Sequence, residues 1–212
     1  MAFVGKKFPD LNVDAMNEMG DSFKVNVLEE AVNNKKKVVL FWYPKDFTFV
    51  CPTELHAFQA AVAEFEKRNT IVIGASCDTP EVHFAWLNTA KDNGGIEGVT
   101  YPILADSNRN LASTLGILDI TNETFNEDTG VVTVEGDNVT YRATYIIDED
   151  GVVQHESINN MPLGRNVGEY LRLVDALTHV QEKGEVCPAN WEEGKDAMSA
   201  NRDGVSSYLA SH

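Results

Sequence analysis

Positive charge is scarce in this 212-residue sequence. It holds 17 lysines and arginines against 33 aspartates and glutamates, which gives a formal net charge of −16 at pH 7. A nucleic acid would repel such a chain unless its cations were gathered into a patch. The only run of like positive charge, at residues 35–37, precedes a strongly apolar segment, and we expect these lysines to be solvated. The composition therefore argues against nucleic-acid binding.

Long apolar runs are also missing. No stretch approaches the roughly 20 consecutive apolar residues of a membrane-spanning helix. Residues 1–10 lack the basic and apolar segments of a secretory signal. We therefore expect a soluble protein that works in the cytoplasm without a membrane partner. Hydrophobic residues make up 43% of the chain, and the length allows one sizeable core without disulfide bonds.

Cysteine and histidine are too sparse for a structural metal or disulfide framework. The three cysteines, Cys51, Cys77 and Cys187, are widely separated, unlike the clusters of a zinc site or a disulfide-rich domain. The five histidines form no ligand pair with helical or hairpin spacing and a nearby carboxylate. We therefore expect no metal site. In a reducing cytosol, a cysteine with unusual neighbours indicates chemistry instead.

The first half of the sequence alternates between strand and helix patterns. Residues 38–43 are all aliphatic or aromatic, which predicts a strand buried on both faces. Apolar residues three and four apart over 55–65 predict an amphipathic helix, opened by Pro52. A second apolar run at 70–76 and a helical segment from Pro80 follow. This alternation predicts parallel strands with helical connections.

From residue 131 the apolar period changes to two. The pattern predicts strands at 131–134, 139–147 and 152–158, joined by turns at 135–138 and 148–151. Such spacing is typical of consecutive hairpins.

A long helix is predicted over residues 167–182, where apolar residues form one stripe. The remaining residues beyond Gly184 show little periodicity and predict a tail that contains Cys187. We expect residues 1–165 to form the main domain. Residues 166–212 would form a C-terminal helix and arm within the same structural unit.

Cys51 has the most informative neighbourhood of the three cysteines. It lies between a predicted strand and a predicted helix, so its sulfur should meet the positive end of the helix dipole and free amides, which favour a thiolate. The alternative is that Cys51 is only a small buried apolar residue. Pro44 and Thr48 favour the chemical interpretation, because with Cys51 they form the motif Pro-x-x-x-Thr-x-x-Cys, followed by Pro-Thr-Glu.

This motif resembles that of the peroxiredoxins, in particular typical 2-Cys enzymes of the alkyl hydroperoxide reductase C group. The resemblance implies a thioredoxin-like α/β fold with a central mixed β-sheet flanked by helices and an extended C-terminal arm. It also implies thiol-dependent reduction of hydrogen peroxide and alkyl hydroperoxides. The segments that carry it are 41–54, 74–86, 141–148, 162–172 and 184–191.

The resemblance assigns roles to residues around Cys51. Cys51 would attack the peroxide and its amide would donate a hydrogen bond, while Thr48 would direct its hydroxyl at the peroxide and Pro44 would shield the sulfur from water. Arg142 would hold the thiolate and polarise the peroxide. As a cation in an apolar strand, Arg142 also needs a buried partner.

Two further charged residues are supporting members of the predicted site. In the family, the residues equivalent to Glu54 and Arg165 order the active-site arginine through ionic hydrogen bonds. Without the resemblance, Glu54 could be only a first-turn helix acid and Arg165 only a loop charge. Cys77 matches no family motif, and we interpret it as structural.

Cys187 resembles the resolving cysteine of the family, within Gly-Glu-Val-Cys-Pro-Ala-Asn-Trp. It would condense with the sulfenic acid on Cys51 of a partner subunit, which implies a homodimer and, further, a ring of five dimers. A disulfide needs Cα atoms within about 7 Å. We therefore expect local unwinding around Cys51 before the bond forms.

Two segments bear on overoxidation of Cys51 to a sulfinic acid. Sensitive family members carry a Gly-Gly-Leu-Gly loop and a C-terminal Tyr-Phe. This chain has Gly-Gly-Ile-Glu-Gly at 94–98 and Tyr-Leu at 208–209. We therefore do not expect high sensitivity.

The resemblance implies that thioredoxin or a flavin-containing reductase re-reduces the enzyme, with no haem, metal or nucleotide cofactor. One alternative is a general disulfide oxidoreductase, but those use Cys-x-x-Cys and position 54 is Glu54. Another is a redox-regulated holdase chaperone or a peroxide-signalling relay, which the intact peroxide motif makes a secondary role.

Overall fold

The computed structural model describes residues 2–212. Its backbone contacts divide the chain into two compact units, the first ending at Arg165 and the second spanning Asn166–His212. Whether the second unit acts as one structural unit with the first remains a prediction. Within residues 2–212, no helix is long and apolar enough to cross a membrane.

The first unit contains nine strands and four α-helices among its described residues. The strands are β1 (Asn12–Met16), β2 (Ser22–Asn26), β3 (Lys37–Trp42), β4 (Thr70–Ser76), β5 (Ile103–Ala105), β6 (Asn122–Asn126), β7 (Val131–Glu135), β8 (Arg142–Ile147) and β9 (Val153–Asn159). The helices are α1 (Val27–Asn34), α2 (Cys51–Lys67), α3 (Pro80–Leu87) and α4 (Asn110–Leu115), with a 3₁₀ turn at Lys91–Asn93.

Seven of these strands form the central sheet, in the order β2-β1-β5-β4-β3-β8-β9. The pairs β3–β4 and β4–β5 are parallel, as the alternation of strand and helix predicted. All other neighbours are antiparallel, including the hairpin β8–β9. The predicted mixed sheet flanked by helices is confirmed.

Strand β3 is buried along its whole length. Val38, Leu40 and Trp42 belong to the main hydrophobic core, and the alternation of side chains directs Phe41 to the opposite face. There the Phe41 ring stacks on Phe58 of α2, with centroids 3.9 Å apart. Burial on both faces explains the unbroken apolar run and confirms the prediction from sequence.

The predicted hairpin between residues 131–134 and 139–147 is wrong. Strand β7 pairs with β6 instead, and the two form a separate ribbon. The chain before β8 is already paired, because Tyr141 N donates to Ile117 O at 2.9 Å and Asp119 N donates to Val139 O at 2.8 Å. The second predicted hairpin is confirmed as β8–β9.

The lysine run that precedes β3 is only partly solvated. Lys35 and Lys36 are exposed as expected, but Lys37 is 3% exposed. Its Nζ lies 2.7 Å from Glu149 Oε1. The solvated interpretation is therefore wrong for Lys37, whose charge is compensated by a carboxylate distant in sequence.

The second unit contains two helices, α5 (Val167–Lys183) and α6 (Arg202–Ser211). Helix α5 was predicted. Helix α6 was not, because none of its residues is buried and its sequence has no apolar stripe. Its start is instead marked by a capping residue, Asn201, whose side chain accepts from Gly204 N at 2.7 Å.

Candidate active site

Cys51 is the first residue of α2. Pro52, which needs no amide hydrogen bond, occupies the first turn behind it. The amide of a first helical residue has no acceptor within the helix. The Cys51 side chain is fully buried, so the sulfur lies at the positive end of the helix and away from water, as predicted.

Arg142 is the first residue of β8 and contacts the cysteine directly. Its Nη1 lies 3.4 Å from Cys51 Sγ. Its Nε donates to the carbonyl of Met161 at 2.6 Å, which fixes the plane of the guanidinium. Arg142 is only 3% exposed. The predicted buried partner of this cation is the carboxylate of Glu54, and the same guanidinium also lies against the sulfur of Cys51.

Glu54 joins the two arginines of the site. Its Oε2 accepts from Arg142 Nη1 at 2.7 Å and from Arg165 Nη2 at 2.8 Å. Its Oε1 accepts from the backbone N and the Nε of Arg165, both at 2.9 Å. Four charge-assisted bonds saturate a carboxylate. With Cys51 as a thiolate, this buried cluster would hold two negative and two positive formal charges.

Arg165 is seated on aromatic rings. Its guanidinium carbon lies 5.2 Å from the ring centroid of Phe41 and 5.8 Å from that of Phe58. Its Nη1 donates to Ala143 O at 3.0 Å and to Thr144 Oγ1 at 3.1 Å. The rings cover the flat face of the cation while its edge donates hydrogen bonds.

Pro44 and Thr48 lie on the loop between β3 and α2. Pro44 is buried and Thr48 is partly buried. The Thr48 hydroxyl donates to Lys45 O at 2.9 Å, which leaves the oxygen lone pairs of Thr48 available to accept. The roles of Pro44 and Thr48 toward a peroxide stay predictions.

Cys187 lies in the second unit, and all three cysteines are free thiols. It is partly buried, and its Sγ lies 3.7 Å from Ala176 O of α5. Burial raises the pKa of the Cys187 thiol, with a further contribution from the charge of Glu185, whereas the charge of Arg172 opposes the rise. The resolving role of Cys187 stays a prediction.

Residues 4–156 match the AhpC/TSA family of proteins. The chain belongs to this family. Residues 176–211 also match the C-terminal domain of 1-Cys peroxiredoxin. Cys187 lies inside that second match.

Full-length relatives of the chain are peroxiredoxins. Peroxiredoxin-2 of Bos taurus is 41% identical over 100% of this chain and 96% of its own length. Alkyl hydroperoxide reductase C of Helicobacter pylori is 40% identical over 97% of this chain and 96% of its own. The reduced 2-Cys peroxiredoxin of Plasmodium vivax superposes with a TM-score of 0.87 at 36% identity, covering 99% and 100% of the two chains. Both the peroxiredoxin fold and the family resemblance are thus confirmed.

The loop from β3 to α2 rests on a buried polar group that the sequence analysis missed. Asp46 Oδ2 lies 2.7 Å from His83 Nδ1, and Asp46 Oδ1 accepts from the Tyr43 hydroxyl at 2.8 Å. His83 Nε2 lies 3.1 Å from Leu104 O, so this nitrogen carries a proton. Burial raises the pKa of Asp46, and the hydrogen bond with His83 opposes the rise. The only signal in the sequence was an acid beside a buried strand.

Cys77 follows β4 and lies apart from the charged cluster. It is 9% exposed. Burial, with a smaller contribution from the charge of Asp106, raises the pKa of the Cys77 thiol to about 12. Such a thiol is a poor nucleophile at neutral pH, which supports the structural interpretation. Among residues 2–212, no group of three or more His, Cys, Asp or Glu is placed to hold a metal ion.

Proposed function

We propose that this protein is a thiol peroxidase that reduces hydrogen peroxide and alkyl hydroperoxides through Cys51. The observation that carries the proposal is the contact between Arg142 Nη1 and the fully buried sulfur of Cys51 at the start of α2. An ordinary buried cysteine does not need a buried cation against its sulfur.

In the first step, the Cys51 thiolate attacks the terminal oxygen of the hydroperoxide. A sulfur–oxygen bond forms and the O–O bond breaks, which yields a sulfenic acid on Cys51 and an alkoxide or hydroxide that takes up a proton. Negative charge develops on the departing oxygen, where Arg142 and the Cys51 amide act as fixed donors. The Thr48 hydroxyl donates its proton to Lys45 O, so its oxygen accepts a hydrogen bond from the peroxide O–H.

In the second step, Cys187 of a partner subunit attacks the sulfenic acid. The sulfur–sulfur bond forms, the sulfur–oxygen bond breaks, and water leaves with the proton of the thiol. A dithiol reductant such as thioredoxin, or a flavin-containing reductase, then returns two electrons and two protons. The homodimer, the ring of five dimers and the cytoplasmic location are part of this proposal, and the family resemblance supports them.

The start of α2 supports the local unwinding that the second step needs. Its N-cap residue is Val50, which makes no side-chain capping bond. A capping side chain stabilises a helix start by about 1 kcal/mol. The turn that carries Cys51 lacks this stabilisation, which lowers the free energy of releasing the buried sulfur.

The test compares peroxide consumption by the wild type, Cys51→Ser and Cys77→Ser in stopped-flow measurements with one equivalent of hydrogen peroxide. We expect Cys51→Ser to lose the fast phase and Cys77→Ser to retain it, because only Cys51 contacts Arg142. Equal consumption by wild type and Cys51→Ser would refute the proposal.

A further inference from the structure

The segment that carries Cys187 is a closed loop. Val186 N donates to Met198 O at 2.9 Å, and Met198 N donates to Val186 O at 3.2 Å. These two bonds join the ends of the segment from Val186 to Met198, which we name the Cys187 loop. The cysteine therefore sits near one end of a defined loop and not on a free tail.

His179 of α5 holds this region on both sides of the cysteine. Its Nε2 lies 2.9 Å from Oε2 of Glu185, two residues before Cys187. Its ring centroid lies 4.9 Å from that of Trp191, four residues after Cys187. Trp191 is 3% exposed, so this ring contact is shielded from water.

Arg172, two helical turns before His179, makes a second attachment. Its Nη1 donates to the carbonyl of Trp191 at 3.0 Å. Its Nε and Nη2 donate to Glu169 at 3.1 and 2.7 Å, which orients the guanidinium. Trp191 is held in turn by its Nε1, which donates to Lys195 O at 3.0 Å.

These attachments direct the Cys187 thiol toward α5. Its Sγ faces the carbonyl of Ala176, which lies between Arg172 and His179 in the helix. A thiol that is partly buried against a carbonyl must reorient before it can attack another sulfur. Reorientation of Cys187 requires the flanking contacts at Glu185 and Trp191 to loosen.

We propose that Arg172 and His179 are positioning residues that clasp the Cys187 loop onto α5 and thereby slow the attack of Cys187 on the sulfenic acid of Cys51. The inference rests on the proposed function. While the sulfenic acid waits, a second hydroperoxide can oxidise it to a sulfinic acid, with one S–O bond formed and the O–O bond broken to release alcohol or water. The clasp therefore sets the peroxide concentration at which Cys51 is overoxidised.

The experiment measures both chemical steps over pH 6–11 in a single turnover, without reductant and with hydrogen peroxide in excess. Samples are quenched with acid, and sulfenic acid, disulfide and sulfinic acid are quantified by mass spectrometry. In Arg172→Met, the high-pH plateau of the disulfide-forming rate should rise roughly three- to tenfold, since a charge-assisted bond at a partly exposed site is lost. The midpoint of the profile should shift to higher pH, because the charge that opposes the raised pKa of Cys187 is gone. The fraction of Cys51 that becomes sulfinic acid per turnover should fall as the plateau of the disulfide-forming rate rises.

Three further variants make the test specific. His179→Phe keeps a ring beside Trp191 but loses the bond to Glu185, so its plateau should rise without the shift in midpoint. Arg172→Lys should restore the wild-type midpoint and part of the clasp. Lys24→Met removes the same charge from an exposed pair with Asp14, outside the Cys187 loop, and should change neither rate. The rate of sulfenic acid formation at Cys51 should be unaltered throughout.

The outcomes separate the clasp from the proposed function. A plateau that is unchanged or lower in folded Arg172→Met and His179→Phe overturns the clasp. If Cys187→Ser still converts the sulfenic acid of Cys51 into a disulfide with another thiol at the wild-type rate, or Cys51 yields no sulfenic acid, the proposed function itself is wrong. In Cys187→Ser, substitution of Arg172 should have no further effect on the fate of the sulfenic acid.

Discussion

Glu54 is the residue on which both active-site arginines converge, and we expect its replacement to affect stability and activity together. Glu54→Gln leaves Arg142 and Arg165 buried without a carboxylate, which should cost about 3 kcal/mol of unfolding free energy. It should also slow the reaction with peroxide roughly a hundredfold, because Arg142 loses its fixed position. Urea unfolding and stopped-flow oxidation measure the two effects.

Glu64 provides a matched control on the same helix. It is more exposed and pairs with Lys67 and Arg68 at the surface, so Glu64→Gln should leave the free energy of unfolding nearly unchanged. Equal losses of activity in the two glutamine variants would contradict the role given to Glu54.

Cys77 should behave as an inert thiol at pH values where other cysteines react. Its pKa of about 12 keeps it protonated, so iodoacetamide at pH 8–9 should not label it in the folded protein. The raised pKa also means that its contribution to stability is complete below the ordinary thiol range and is lost as pH rises toward 12. Peptide mapping after labelling, with unfolded protein as the control, checks this; rapid labelling of folded Cys77 would contradict it.

At the scale of elements, the β6–β7 ribbon is the least protected pair of strands. All its residues are exposed, including Phe125 at 63% and Val132 at 56%. An isolated two-stranded hairpin is marginally stable in water. In hydrogen-exchange mass spectrometry, amides of β6 and β7 should therefore exchange much faster than those of the β8–β9 hairpin. Equal protection of both pairs would contradict this expectation.

Elements whose own sequence shows how they are buried, through an apolar run or an apolar stripe, were predictable. Strand β3 is buried on both faces, so its apolar run alone identifies it, and β4 and α5 follow similar logic. Strand β6 was not predicted, because an exposed strand with the sequence Asn-Glu-Thr-Phe-Asn carries no alternation. The pairing of β7 was wrong for a related reason, since residues 117–119 take the backbone partners that a 139–147 hairpin would need.

The candidate site likewise has a part that the sequence predicts and a part that it does not. The spacing of Pro44, Thr48 and Cys51 is local and visible in the sequence, and the family resemblance supplied the distant arginines. The Asp46–His83 pair and the aromatic seat of Arg165 depend on contacts between residues far apart in the chain. A single sequence shows the individual residues but not which of them meet, so only the folded structure identifies these contacts.

At the scale of the whole molecule, we expect two chains to become covalently linked during turnover. After one equivalent of peroxide, a non-reducing gel should show a disulfide-bonded dimer in the wild type and none in Cys187→Ser. A Cys51–Cys187 bridge within one chain would show that the intersubunit assignment is wrong. Cys77→Ser, which removes a thiol from outside the proposed cycle, should form the dimer normally.

The net charge of −16 does not extend into the site. Buried around the Cys51 sulfur are two arginines and one carboxylate, so the local balance is positive until the thiol ionises. Hydroperoxides are neutral, and their approach needs no long-range steering by the surface. The acidic surface instead favours solubility and disfavours anionic partners.

The seat of Arg165 on Phe41 and Phe58 has a consequence for how this protein tolerates mutation. These rings are part of the packing between β3 and α2, yet they also support an active-site cation. A small change of packing volume there, such as Phe58→Leu, would tilt a guanidinium that Glu54 shares with Arg142. Substitutions at Phe41 and Phe58 are therefore limited by their effect on catalysis as well as on folding. These two positions should tolerate fewer substitutions than the equally buried positions Val38 and Leu40.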